Sequence, residues 1–152
     1  MQDLYFMKKA YEEALKAEAI NEVPIGSVII YENEIIGAGF NERNTKKNAL
    51  CHAEIAAINE ACNFLKDWRL ENCTIYVTLE PCPMCAGAIL QARIKKLVFG
   101  AKSPKAGSIF SITSILENDL YNHKVEIVQG IMEKECSSLI ENFFSRLRKG
   151  DK

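Results

Sequence analysis

The chain has 152 residues, of which 48% are apolar and 26% are charged, and its formal net charge is −1. This length and composition predict a single domain over residues 1–152 and exclude a disordered chain. The longest apolar stretch is far shorter than the ~20 residues of a membrane helix, and the first residues lack the apolar block of a signal peptide, so we expect a cytoplasmic protein with no membrane partner.

The first predicted elements are a helix and a β-hairpin. Apolar side chains at helical spacing predict a helix that ends before Pro24, whose ring and missing N–H interrupt helices. These side chains are Leu4, Met7, Tyr11, Ala14 and Leu15. Two β-rich runs follow at 25–31 and 34–40, with only Glu32 and Asn33 between them. This spacing predicts a tight turn between antiparallel neighbours.

Helices and strands alternate along the rest of the chain. The patterns predict a helix over 53–66, a strand over 74–79, a helix over 84–93, a strand over 96–100, a short helical piece near 112–116 and a strand over 125–128. The last helix is amphipathic, with a stripe of Cys136, Leu139, Ile140, Phe143 and Leu147. Because strand, helix, strand order calls for a parallel crossover, the predicted fold is α/β, with three α/β/α layers around a mixed five-stranded sheet.

The charges are distributed unevenly along the chain. Residues 1–34 hold seven acids and three lysines, whereas the stretch from Pro81 to Leu116 contains no acid. That stretch carries Arg93, Lys95, Lys96, Lys102 and Lys105, and the tail adds Arg146, Arg148, Lys149 and Lys152. A locally basic surface on a slightly acidic protein suits a chosen anionic partner. An ordinary solvated face accounts for the charges equally well.

The six cysteines fall into two groups. Without an export signal, metal binding or buried thiols are favoured over disulfides. Cys62, Cys73 and Cys136 lie among apolar residues, and we expect them to be small buried core residues. Only Cys82 and Cys85 have the spacing of metal ligands.

Two short motifs carry the chemistry: His52-Ala53-Glu54, and Pro81-Cys82-Pro83-Met84-Cys85 further along the chain. Each motif alone is weak, since a single H-x-E is usually an ordinary helix start and a single C-x-x-C has several origins. Together, each at the start of a predicted helix, they match the zinc deaminase signature H-x-E…P-C-x-x-C.

The chemistry of the residues supports a zinc site. Cys82 and Cys85 are three apart and share a helix face, and the positive end of the helix dipole stabilises their thiolates. With His52 they give three protein ligands, which leaves a fourth position for water, as in catalytic zinc sites. Glu54 then acts as the general acid and base and does not bind the metal. The rival interpretation is a structural zinc module that binds RNA without chemistry, with Cys51 as a fourth ligand.

A longer set of residues resembles the bacterial tRNA-specific adenosine deaminases, from about residue 5 to 149. The matching runs are Val23-Pro24-Ile25-Gly26, Gly39-Phe40-Asn41, the two zinc motifs, Val98-Phe99-Gly100-Ala101, Asn122-His123 and Phe143-Phe144. The resemblance implies a cytidine-deaminase-like fold and a homodimer. It also implies a tRNA anticodon stem-loop as partner, with hydrolytic conversion of the wobble adenosine to inosine.

The resemblance also assigns substrate-binding roles. Asn41 matches the residue that hydrogen-bonds the flipped base, although a turn Asn is the ordinary interpretation of that position. Phe144, Arg146 and Arg148 match a C-terminal helix that borders the anticodon loop. We expect Phe143 in the core and Phe144 exposed. His123 matches a family position, but a capping histidine in a loop explains it equally well.

The chain departs from the family in one loop. Where the family usually has an Asp that contacts a ribose, this chain has Ser103, which can hydrogen-bond but carries no charge. Phe110 stands where the family has a glycine. A free-base or nucleoside deaminase, acting on guanine, cytosine or cytidine with the same zinc chemistry, is therefore the alternative function.

Overall fold

The computed structural model describes residues 2–150. Its helices are α1 (Gln2–Ala19), α2 (Ala53–Leu65), α3 (Pro83–Gln91) and α4 (Glu133–Arg148), and a short 3₁₀ turn spans Ile115–Glu117. Its strands are β1 (Gly26–Tyr31), β2 (Glu34–Phe40), β3 (Thr74–Leu79), β4 (Lys96–Ala101) and β5 (Glu126–Gln129). The predicted order of elements is confirmed. Within residues 2–150, no helix combines the length and the apolar character needed to cross a membrane.

The five strands form one mixed sheet in the order β2-β1-β3-β4-β5. β1 is antiparallel to both β2 and β3, and the pairs β3–β4 and β4–β5 are parallel. Glu32 and Asn33 both have positive φ, 50° and 66°, as the predicted tight turn between β1 and β2 requires. Since β2, β3, β4 and β5 point the same way, the segments that follow them meet at one edge of the sheet.

Helices cover both faces of the sheet, as predicted. On one face α2 and α3 enclose the larger core, which includes Ile29, Ile75, Val77, Leu97 and Phe99. On the other face α1 and the start of α4 cover Val28, Ile30, Tyr76 and Val98. The predicted α/β/α layering is confirmed.

Close contact between α1 and β1 depends on Gly26. A Cβ at this position would lie 2.1 Å from the carbonyl oxygen of Ala10 and 2.3 Å from the nitrogen of Ala14. The buried face of the helix is correspondingly small, with three alanines beside Phe6 and Met7. Leu4 and Leu15, which the periodicity placed on the buried stripe, are instead 44% and 41% exposed. The predicted stripe was wrong there because the face that α1 turns to the sheet is centred on Phe6, Ala10 and Ala17, which leaves Leu4 and Leu15 at its exposed side.

Two other burial predictions also need correction. Leu147 is 47% exposed, since the buried side chains of α4 end at Phe143, before the last turn of the helix. Cys62 is half-buried at the rim of a groove beside Trp68, whereas Cys73 and Cys136 are buried as expected. The difference at Cys62 arises because the outer face of α2 is only partly covered by the other elements within residues 2–150.

The edge strand β2 is protected by a side chain from α2. The Glu60 carboxylate accepts a hydrogen bond of 3.1 Å from the backbone N–H of Ala38. The other edge strand, β5, has only four residues.

Candidate active site

The two zinc motifs occupy two helix starts at the same edge of the sheet. His52 is the N-cap of α2 and Cys82 the N-cap of α3, and both have extended backbone conformations. His52 therefore lies outside the regular helix, which lets it and Glu54 face the same point although they are two residues apart. Pro83 occupies the first turn of α3, where its missing N–H costs nothing.

The side chains of His52, Cys82 and Cys85 meet at this edge. Their donor atoms all lie within 4.8 Å of one another, and within residues 2–150 they form the one such cluster of three His, Cys, Asp or Glu. His52 Nδ1 lies 3.6 Å from Cys82 Sγ and 3.5 Å from Cys85 Sγ. Zinc bonds of ~2.3 Å to sulfur and ~2.0–2.1 Å to nitrogen, at a tetrahedral angle, would place N and S ~3.6 Å apart. The donor set and its spacing therefore fit a zinc ion.

Hydrogen bonds within the cluster stabilise a cysteine thiolate. The hydrogen bond from the Cys85 thiol, together with that from His52, lowers the pKa of Cys82 to about 4. The same pairing with Cys82 raises the pKa of Cys85 and also that of His52. These contacts favour a thiolate at Cys82, and binding of a cation by both sulfurs would release the remaining thiol proton.

Glu54 lies beside the cluster and is 4% exposed. Burial raises the pKa of its carboxyl to about 7, although its own backbone N–H works in the opposite direction. A carboxyl that changes protonation near neutral pH suits a group that both accepts and donates a proton. It is not among the three clustered donors.

Asn41 follows β2 at the same edge and is 6% exposed. Its amide donates to the Val23 carbonyl at 3.2 Å, and its Oδ1 accepts the Arg43 N–H at 3.2 Å. These bonds are those of a turn Asn, and they fix the side chain. One amide hydrogen and one oxygen lone pair remain for a ligand.

The loop after β4, residues 102–111, is named here the β4 loop. It contains Ser103, which is half-buried, and Phe110, which is 41% exposed. Sequence reasoning missed the residue that organises this loop, Glu80, whose carboxylate accepts hydrogen bonds from several of its backbone N–H groups. Its position directly before Pro81-Cys82 was the one feature of the sequence that could have indicated this role.

The C-terminal helix divides its two phenylalanines as predicted. Phe143 is 3% exposed and Phe144 is 39% exposed. Arg146 lies 3.4 Å from Glu18 of α1, with its guanidinium 5.8 Å from the centre of the Phe143 ring. Arg148, at the end of α4, is exposed.

Two other residues singled out from the sequence lie apart from the donors. His123 Nε2 lies 2.7 Å from the Ile94 carbonyl oxygen, which fits the capping interpretation. Cys51 is half-buried and is not a member of the donor cluster, so the fourth-ligand arrangement of a structural zinc module is not formed.

Known proteins similar to this chain are deaminases. Residues 1–148 match the family model described as MafB19-like deaminase. The tRNA-specific adenosine deaminase of Bacillus subtilis (strain 168) is 48% identical, with 99% of this chain and 94% of the relative covered. The tRNA-specific adenosine deaminase of Haemophilus influenzae is 42% identical, with 99% and 87% covered.

Solved structures that resemble this chain are also those of deaminases. A structure from a study of A-to-I editing by tRNA:A34 deaminases at the wobble position of transfer RNA matches with a TM-score of 0.85 and 38% identity, over 89% of this chain and 98% of that chain. The guanine deaminase of Bacillus subtilis matches less well, with a TM-score of 0.64 and 29% identity over 95% of this chain and 92% of that one.

Proposed function

Because this chain belongs to the tRNA-specific adenosine deaminases, within the cytidine deaminase superfamily, we propose that it converts adenosine to inosine at the wobble position of a tRNA anticodon, with zinc as its cofactor. The observation that carries the proposal is the meeting of His52, Cys82 and Cys85 within 4.8 Å, with the buried Glu54 beside them. The whole chain, residues 1–152, acts as one deaminase domain in the cytoplasm.

The proposed reaction adds water to C6 of adenosine and releases ammonia, so that a C–O bond replaces the C–N bond. His52, Cys82 and Cys85 would hold one zinc ion per chain, and the ion supplies a Lewis acid that makes water a better nucleophile at neutral pH. Glu54 takes a proton from the attacking water and returns it to the departing amine, which its pKa of about 7 favours. Asn41 has one amide hydrogen and one lone pair with which to hold the flipped base.

The decisive experiment tests several candidate substrates with the zinc-loaded protein in parallel. An anticodon stem-loop with adenosine at the wobble position, free adenosine, guanine and cytidine are incubated with it, and ammonia release is measured. We expect the stem-loop to be deaminated far faster than free adenosine, since contacts to the flanking nucleotides offset the cost of unstacking the base. Faster release from guanine or cytidine would reject the tRNA substrate and favour the free-base or nucleoside alternative.

RNA binding is proposed to use Ser103 of the β4 loop and the end of α4. Phe144 offers an exposed ring for stacking and Arg148 an exposed cation for phosphate. Arg146 is held by Glu18 at 3.4 Å in the free protein, so its use on RNA would require exchange of that partly buried ion pair for a phosphate.

Replacing both Arg146 and Arg148 with Ala is expected to weaken stem-loop binding and to flatten its salt dependence. Loss of two phosphate contacts would reduce the slope of log K against log salt by about 1.4 to 1.8. The double variant Lys8→Ala with Lys9→Ala changes the net charge equally on α1 and serves as the control. Fluorescence anisotropy across a salt series measures the affinity and its salt dependence. Equal slopes for the tail variant and the parent would exclude the tail from RNA binding.

Phe144→Ala should also weaken binding of the stem-loop, without loss of zinc.

A homodimer is proposed through the outer face of α2 and α3. The groove there is lined by the partly buried Ile55 and Ile58 and by the exposed Trp68. Trp68 is 58% exposed and the nearby Phe64 is 59% exposed. Among residues 2–150, a Cβ at Gly87 of α3 would meet no atom within 4 Å, so a partner can approach that helix closely. Sedimentation equilibrium should give twice the chain mass, and a monomer at micromolar concentration would reject the dimer.

A further inference from the structure

Glu80 links the end of β3 to the metal-donor helix and is 2% exposed. Its Oε1 accepts hydrogen bonds from the Ser103 N–H at 3.0 Å and the Ser111 hydroxyl at 2.5 Å. Its Oε2 accepts the N–H groups of Ile109 at 3.2 Å, Phe110 at 2.8 Å and Ser111 at 2.9 Å. One buried carboxylate therefore gathers five donors from the β4 loop.

All five donors are neutral, yet they hold Glu80 in its charged form. Burial alone would raise the pKa of this carboxyl, but the bonds from Phe110, Ser111 and Ser103 outweigh burial and lower the pKa to about 2. Backbone N–H groups that converge in this way form a concave anion site. Here the anion is the Glu80 carboxylate of the same chain, so the β4 loop folds around one of the protein's own side chains.

The β4 loop has no helix or strand of its own to fix its shape. Gly107 lies so close to Glu80 that a Cβ there would be 2.4 Å from the carboxylate carbon. The N–H of Ser108 donates to the Pro81 carbonyl at 2.8 Å, which ties the loop to the entry of α3. The Glu80 contacts thus hold both ends of the loop, at Ser103 and at 109–111, next to the segment that carries Cys82.

We propose that Glu80 is a positioning residue for the RNA substrate, because its carboxylate fixes the β4 loop in the shape that presents Ser103 and Phe110 beside the Cys82 helix. The proposal rests on the proposed function, since it assumes that the loop contacts RNA. Glu80 itself is buried beneath the loop and does not contact the substrate. Its effect is therefore on the affinity for the stem-loop and much less on the chemical step.

The test compares Glu80→Gln and Ser111→Ala with the parent, all loaded with zinc. Glutamine keeps the shape of the Glu80 side chain, but it replaces one acceptor oxygen with an NH₂ group that faces the N–H donors of the loop. Ser111→Ala removes a single hydroxyl contact to Glu80. Ser114→Ala is the matched control, because Ser114 is exposed and its side chain makes no capping bond. KM and kcat for the stem-loop, zinc content and hydrogen exchange of the amides at 103–111 are measured.

We expect Glu80→Gln to raise KM about tenfold, with kcat within threefold of the parent, one zinc per chain and faster exchange at 109–111. Ser111→Ala should move KM and exchange in the same direction by less, and it decides the matter if Glu80→Gln does not fold. An unchanged KM would overturn the proposal. If kcat and zinc content fell at that unchanged KM, Glu80 would instead be assigned to support of the Cys82 helix. A parent that does not deaminate the stem-loop would instead reject the proposed function.

Discussion

Replacing Glu54 with Gln is expected to reduce deamination of the stem-loop by at least about 100-fold, while zinc content stays at one ion per chain. Glutamine keeps the size of the side chain but cannot accept and return a proton. Glu54 is not one of the three clustered donors, so its loss leaves the metal ligands in place. Single-turnover assays with saturating enzyme, together with metal analysis, measure the two effects separately.

The matched control is Glu60→Gln on the same helix. Glu60 is exposed, and glutamine retains an oxygen that can accept the Ala38 N–H. The control should therefore keep the activity of the parent. Near-normal turnover in Glu54→Gln would contradict the assignment of the proton transfer to this residue, whereas zinc loss would indicate that Glu54 supports the metal after all.

Replacing Cys85 with Ala is expected to abolish both zinc binding and activity. The side chain is fully buried, and its Sγ lies 3.5 Å from His52 Nδ1. Without it only two donors remain, too few for a stable zinc site of this kind. Since an ion that binds only the folded state stabilises it, the thermal midpoint of the variant should fall below that of the zinc-loaded parent.

Cys51→Ala provides the control for this second experiment. Cys51 is adjacent to His52 in sequence but lies outside the donor cluster. The variant should keep one zinc per chain and the activity of the parent. Loss of zinc in Cys51→Ala, or full retention of zinc in Cys85→Ala, would show that the ligand set differs from His52, Cys82 and Cys85.

Much of this architecture could be predicted because its signals are local. The hairpin follows from two β-rich runs and the turn residues Glu32 and Asn33, and the strand at 74–79 was predicted with its observed bounds. The donor cluster could be predicted because two short motifs each begin a helix. Their meeting in space depends on the sheet, but the residue types indicated it beforehand.

The features that were missed depend on contacts between distant segments. The bonds of Glu80 reach 23 to 31 residues along the chain, and no periodicity encodes them. Likewise, the exposure of Leu15 and Leu147 depends on which face α1 turns to the sheet and on how far along α4 the buried contacts continue. Local pattern predicts which side of a helix is apolar, whereas the neighbouring elements determine how much of it is covered.

The protected edge of β2 has a consequence for self-association. An open edge strand is a template to which a second chain can add its own strand, and this route leads to aggregates. Glu60 occupies the Ala38 N–H on that edge, and a negatively charged carboxylate there repels an identical edge from another copy. Extension of the sheet through β2 is thus disfavoured, so the homodimer proposed above would form through the outer face of α2 and α3 and not by addition of strands.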